Sequence, residues 1–128
     1  MAALSARTAH AMIPVADMSR AKRWYEQKLG LKPSAENEFG ANYELGGGTG
    51  FVLYPTKEAG KAPNTLFCFD STDVEADVAQ LKKQGVTFED YNLPDLKTVN
   101  SIATFGAAKG AWFRDSEGNI LSISNVTF

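Results

Sequence analysis

Two helix-closing glycines, Gly30 and Gly85, stand 55 residues apart. Each ends a segment that opens on a polar cap and carries apolar residues at offsets of three and four. A short apolar run precedes each helix, and three further strand-like runs follow it. Both halves therefore read strand, helix, strand, strand, strand. Identity between the halves is slight, so the repeat lies in the order of elements. One helix cannot cover both faces of a βαβββ sheet, so the other face must meet a second unit or enclose something. Two such units predict an α+β fold: paired βαβββ modules forming a curved mixed sheet with a concave face suited to a ligand.

In the first half, His10–Val15 reads as a buried strand and Asp17 or Ser19 as the helix cap. Ala21, Trp24, Tyr25 and Leu29 form the apolar helix face, closed by Gly30. Leu31–Phe39, Gly40–Leu45 and Gly50–Tyr54 are the three strands, with a tight turn at Gly46-Gly47-Gly48. In the second half, Thr65–Phe69 is a strand, and Thr72-Asp73-Val74-Glu75 has the form of a capping box. Val74, Val78 and Leu81 follow at helical spacing. Val86–Tyr91, Ala111–Arg114 and Asn119–Asn125 are the remaining strands. Pro94–Gly110 reads as a long loop, a lid or partner contact in which Lys97, Thr98 and Asn100 could meet a ligand. Met1–Thr8 reads as a loose arm. The 128 residues suit one domain, 1–128, with module one at about 9–55, a connector at 56–63 and module two at about 64–126.

Strand alternation assigns faces. Ala11, Ile13 and Val15 should meet the helix, leaving His10, Met12 and Pro14 on the other side. Phe67 and Phe69 oppose Leu66 and Cys68, and Leu121 and Ile123 oppose Ser122 and Ser124. The cavity side is thus expected to carry His10, Leu66, Cys68, Ser122 and Ser124. Trp112 is assigned to the cavity and Phe113 to the underside of the helix. An aromatic wall beside serine hydroxyls suits a flat organic ligand.

Composition removes other classes. One histidine excludes a multi-histidine metal centre within one chain, and one cysteine excludes an intrachain disulfide. A net charge of −2 gives no basic footprint for nucleic acid. No apolar run reaches the ~20 residues a membrane span requires. The absence of a charged start followed by an apolar run argues against a secretory signal, and a reducing, cytoplasmic setting is expected. Gly46–Gly48 lacks the Lys-Ser/Thr and following helix of a phosphate loop. Glu36, Glu38, Glu44, Glu89 and Asp90 read as solvated.

Three segments carry a family resemblance. "HAMIPVADMSRAKRWYEQKLGL", "TDVEADVAQLKKQGV" and "AWFRDSEGNILSI" resemble, in order and spacing, the vicinal oxygen chelate family, which includes glyoxalase I, bleomycin-resistance proteins and extradiol dioxygenases. The resemblance covers about residues 9–126. It implies a divalent metal held on the concave sheet by His, Gln and Glu ligands and acting as a Lewis acid. Position by position, the first ligand falls on His10, the second on Phe51 or Leu53, the third on Leu66 and the last on Ser122. One of four is retained.

The leading expectation is therefore metal-independent binding of a small organic molecule, with no cofactor, in a pocket of His10, Met12, Phe51, Leu53, Leu66, Cys68, Trp112, Ser122 and Ser124. The alternative is a metal-dependent lyase, isomerase or dioxygenase-like enzyme using His10 in an unconventional ligand shell. A third reading is an interaction module without ligand. The resemblance also implies a homodimer whose partner completes the cavity.

Overall fold

The computed structural model describes residues 3–128. Met1 and Ala2, part of the expected arm, lie outside the described residues; Leu4–Ala6 form one exposed 3-10 turn. Two helices and ten strands follow. Module one runs β1 (Ala11–Val15), α1 (Met18–Leu29), β2 (Ala35–Asn37), β3 (Gly40–Glu44) and β4 (Gly50–Pro55). Module two runs β5 (Thr65–Asp70), α2 (Val74–Lys83), β6 (Asn92–Leu93), β7 (Leu96–Val99), β8 (Ile102–Phe105), β9 (Ala108–Arg114) and β10 (Ile120–Ser124). Each module keeps its own mixed sheet, ordered β1-β4-β3-β2 and β5-β10-β9-β8-β7-β6. In each, the first strand pairs in parallel with the last, the pairing that a crossover helix produces.

The caps explain where the helices begin and end. Asp17 accepts a bond from the Arg20 amide, and Gly30 closes α1 with a left-handed φ of 71°, where a side chain would be strained. In α2 the cap is Asp73, which accepts from the Ala76 amide, rather than Thr72. The Ser71 hydroxyl takes the Asp73 amide and donates to Asp77 at 2.6 Å. The cap is thus displaced by one residue, with Ser71 accepting the amide of the new N-cap, Asp73.

Three expected elements are corrected. Val86–Tyr91 forms a single bridge, Phe88 to Phe113, and no continuous strand. The outer edge of β9 is already occupied by β8 along Ala108–Gly110, so only the stretch beside Trp112 and Phe113 is open to it. The expected lid at Pro94–Gly110 is mostly sheet, comprising β7, β8 and the start of β9. Asn100 and Ser101 take φ values of 52° and 71°, the consecutive positive angles of a two-residue hairpin. The Leu31–Phe39 strand contracts to Ala35–Asn37, while Gly47 and Gly48 turn with φ of 67° and 76°.

Both sheets turn their apolar faces into one core. Ile13, Val15, Tyr25, Tyr43, Phe51 and Leu53 from module one join Val74, Val78, Phe113, Leu121 and Ile123 from module two. Trp24 stacks on Phe113 at 6.2 Å across the modules, and Phe51 meets Phe67 edge-on at 5.3 Å. Such ring pairs add about 0.5–1.5 kcal/mol to area burial.

The turn between β9 and β10 fastens the modules together. Asp115 accepts the Tyr25 hydroxyl at 2.7 Å, together with the Glu117 and Asn119 amides. Asn119 donates to the Pro14 carbonyl at 2.7 Å and accepts the Gly60 amide. Gly60 lies with φ 76° against the Glu117 carbonyl, where a Cβ would collide. Glu117 accepts the Ala16 and Asp17 amides and pairs with Arg20. These bonds satisfy the N-terminus of α1 from the opposite module.

Candidate ligand hollows on the open sheet faces

Strand register determines which side chains face away from the core. In module one, Met12, Val52 and Asn42 lie opposite one another across β1, β4 and β3. In module two, Cys68, Ser122 and Trp112 form the equivalent row across β5, β10 and β9. Directly opposed residues share a face, so these rows mark the two open faces.

Phe51 and Leu53, expected at the cavity, instead lie fully buried in the core. They pair with Ala11 and Ile13, and Phe51 stacks on Tyr43 at 4.7 Å. Val52 is the module-one counterpart of Ser122. Gly50–Tyr54 is apolar at four successive positions, and a shift of one residue reverses every side chain.

His10 and Met12 line a hollow of about 260 Å³ with Glu36, Phe39, Asn42 and Val52. Met12 is half exposed. Glu36 is held at its rim by Lys22, 2.6 Å away. Trp112, Ser122 and Ser124 line a second hollow, of about 110 Å³, with Phe105, Lys109 and Val126. Tyr91 braces Trp112 edge-on at 5.6 Å, and burial, then Glu89, pushes the Tyr91 hydroxyl up in pKa, with Arg114 opposing. Cys68 lines a separate seam with Leu45, Thr49 and Phe67. Leu66 sits at a register shift between β5 and β10, and its side chain is partly exposed. The expected site residues are therefore brought together in two groups within the chain, His10 with Met12 and Trp112 with Ser122 and Ser124, rather than in one.

The lining residues that were not expected include two exposed aromatics. Phe39 is 74% exposed beside the first hollow and Phe105 is 57% exposed beside the second. The signal for them is the short repeat Phe39-Gly40-Ala41 and Phe105-Gly106-Ala107, which sets an aromatic at an equivalent hairpin of each module.

At the positions where the resemblance implies metal ligands stand His10, Leu66 and Ser122, and on β4, where Phe51 or Leu53 was expected, the open face carries Val52. One imidazole, two hydrocarbon side chains and a neutral hydroxyl do not fit a divalent ion, which requires several N, O or S donors. Among the described residues, no group of three or more His, Cys, Asp or Glu side chains is placed to hold one.

The strongest perturbed acid lies away from both hollows. Burial raises the Glu117 carboxyl, but hydrogen bonds from Arg20, the Asp17 amide, Ser116 and the Ala16 amide together bring its pKa down to about 2. Burial, followed by Asp115, holds the Tyr25 hydroxyl well above its ordinary value. Both groups serve the fastening between modules.

Among curated proteins, no sequence matches this chain significantly. Solved structures do share its fold. UcmS2 superposes with a TM-score of 0.73 at 21% identity, covering 94% of this chain and 98% of that one. A glyoxalase/bleomycin resistance protein from Catenulispora acidiphila DSM 44928 gives 0.66 at 20% identity, with coverage of 94% and 98%. TnmS3, an antibiotic binding protein from Streptomyces sp. CB03234, gives 0.60 at 23% identity, with coverage of 92% and 95%. At these identities the likeness is one of fold. Residues 7–123 match the family model of the Glyoxalase/Bleomycin resistance protein/Dioxygenase superfamily, and the chain belongs to that superfamily.

Proposed function

We propose that this protein binds a small, flat organic molecule without a metal, in a cavity completed by a second copy of the chain. The observation that carries this reading is the hollow in which the Trp112 and Phe105 rings stand beside Ser122 and Ser124. An aromatic wall with few polar groups suits a planar ligand. TnmS3, an antibiotic binding protein, shares the fold and sets the ligand class worth testing first.

The sheet edges support the dimer. β1 and β5 each end a sheet with one side unpaired, and free strand edges favour pairing. Each hollow alone, about 260 Å³ and about 110 Å³, falls below the ~300 Å³ at which small-molecule sites begin. Pairing β1 of one copy with β5 of another would join His10 and Met12 to Trp112 and Ser122. A cytoplasmic location is proposed with this function, supported by the single exposed thiol, Cys68.

A thermal-shift screen with planar aromatic and glycopeptide antibiotics tests binding, and light scattering on the same preparation gives the mass. A saturable shift in a dimer is the expected outcome. Stoichiometric metal that disappears in His10→Ala would overturn the metal-free reading in favour of the enzyme. No shift with any compound would favour an interaction module.

A further inference from the structure

A further cavity lies where the helix sides of the two sheets meet, bordering the Cys68 seam through Leu45, Phe69 and Asp70. It occupies about 300 Å³ at the seam between the modules. Leu29, Leu31 and Leu45 from module one face Phe69, Leu81 and Ile123 from module two. The leucines and Phe69 remain partly exposed around it although they pack against the core. Its polar lining consists of Asp70, Asp77 and Gln80, and no Lys or Arg lines it. One Asp77 oxygen takes the Ser71 hydroxyl at 2.6 Å, which leaves the other free.

The walls select by chemistry. Apolar surface of this kind holds water poorly, because ordered water needs two or more polar partners. Asp70 and Asp77 are exposed at its rim, and with no cation in the wall their charge favours an occupant that brings the positive charge itself. The volume lies at the lower end of the ~300–1,000 Å³ typical of small-molecule sites. We propose that this seam cavity is a second ligand site, for a hydrophobic amine whose apolar body lies among the leucines and whose ammonium group faces Asp70 and Asp77. It is distinct from the sheet-side hollows, sharing only Ile123 with the one beside Trp112 and no residue with the one beside His10.

The test compares octylammonium, 1-octanol and octanoate on the full chain. Octylammonium is expected to bind saturably, about fivefold tighter than 1-octanol, with octanoate weakest. In methyl-labelled protein the Leu29, Leu31 and Leu81 signals should move while Val52 and Val126, which line the sheet-side hollows, stay in place. Asp77→Asn keeps an acceptor for Ser71 and should lower the ammonium-to-alcohol ratio, and Asp70→Asn together with Asp77→Asn should bring it to about one. Leu81→Trp fills the cavity and should abolish binding of all three. Octanoate binding as tightly as octylammonium, the absence of saturable binding, or methyl shifts that spare the seam would each overturn the proposal. The methyl map uses unmodified protein, so the proposal stays testable even if Leu81→Trp fails to fold.

Discussion

Glu117 grips Arg20 with both carboxylate oxygens, Nε to Oε2 at 2.9 Å and Nη2 to Oε1 at 3.0 Å, across 97 positions of sequence. The Glu117 side chain is fully buried while half of the Arg20 side chain remains in solvent. This carboxylate ties the start of α1 to the turn between β9 and β10.

Its titration sets the acid limb of stability. The folded pKa, about 2, lies below the ordinary 4.5, so the stabilisation is complete above the unfolded value and is lost as pH falls from about 5 towards 2. Discounted for the exposed guanidinium, the contribution is about 2 kcal/mol at neutral pH. Glu117→Gln should lose about that amount at pH 7 and show a flatter profile between pH 5 and 2. Urea melts at several pH values measure both, and a variant as acid-sensitive as wild type would contradict this account.

Two buried tyrosines should respond oppositely to loss of their hydroxyls. The Tyr25 hydroxyl is bound to Asp115, so Tyr25→Phe should cost about 1.5–3 kcal/mol. The Tyr43 hydroxyl is buried without a hydrogen-bond partner, so Tyr43→Phe should be neutral or stabilise by up to about 1 kcal/mol. Burial, then Glu36 and Glu26, pushes the Tyr43 pKa up to about 12. Its neutral form is therefore favoured by folding, and that contribution fades as pH rises from about 10 through 12. Denaturation of the two variants side by side settles the order.

Trp112 should dominate ligand affinity. For any planar compound that stabilises the protein, Trp112→Ala should weaken binding at least about tenfold, whereas Trp112→Phe should retain most of it. Calorimetric titration reads the difference. Equal affinity in the alanine variant would remove Trp112 from the site.

Chelation should leave the fold unaffected. With one imidazole, two aliphatic side chains and a hydroxyl at the corresponding positions, dialysis against EDTA is expected to change Tm by less than about 1 °C. A bound structural metal would shift it by far more, and such a shift would reopen the metal reading.

The legible parts of this fold are those whose physics is local. Asp17 and Gly30 bracket α1 because a cap and a left-handed terminus are decided within a turn of chain. Alternation separates Ile13 and Val15, in the core, from half-exposed Met12, since the two faces of β1 differ in character. The same method fails on β4, where Phe51, Val52, Leu53 and Tyr54 offer no contrast to read. The β7–β8 hairpin was hidden because its turn uses Asn100 and Ser101 in place of glycine. The division of the expected site between two hollows depends on how the modules pack, which periodicity within a strand does not encode. Glu117 looks like an ordinary turn residue because its partners Ala16, Asp17 and Arg20 lie in the other module.

That fastening orders events in time. The amides of Ala16 and Asp17 are satisfied by a carboxylate about a hundred positions later. A ribosome adding ~5–20 residues per second would expose the first module for several seconds before Glu117 emerges. During that interval the start of α1 and the Tyr25 hydroxyl lack their native acceptors. The first βαβββ unit is thus an incomplete folding unit on its own, and the nascent chain depends on its last hairpin to consolidate its first helix.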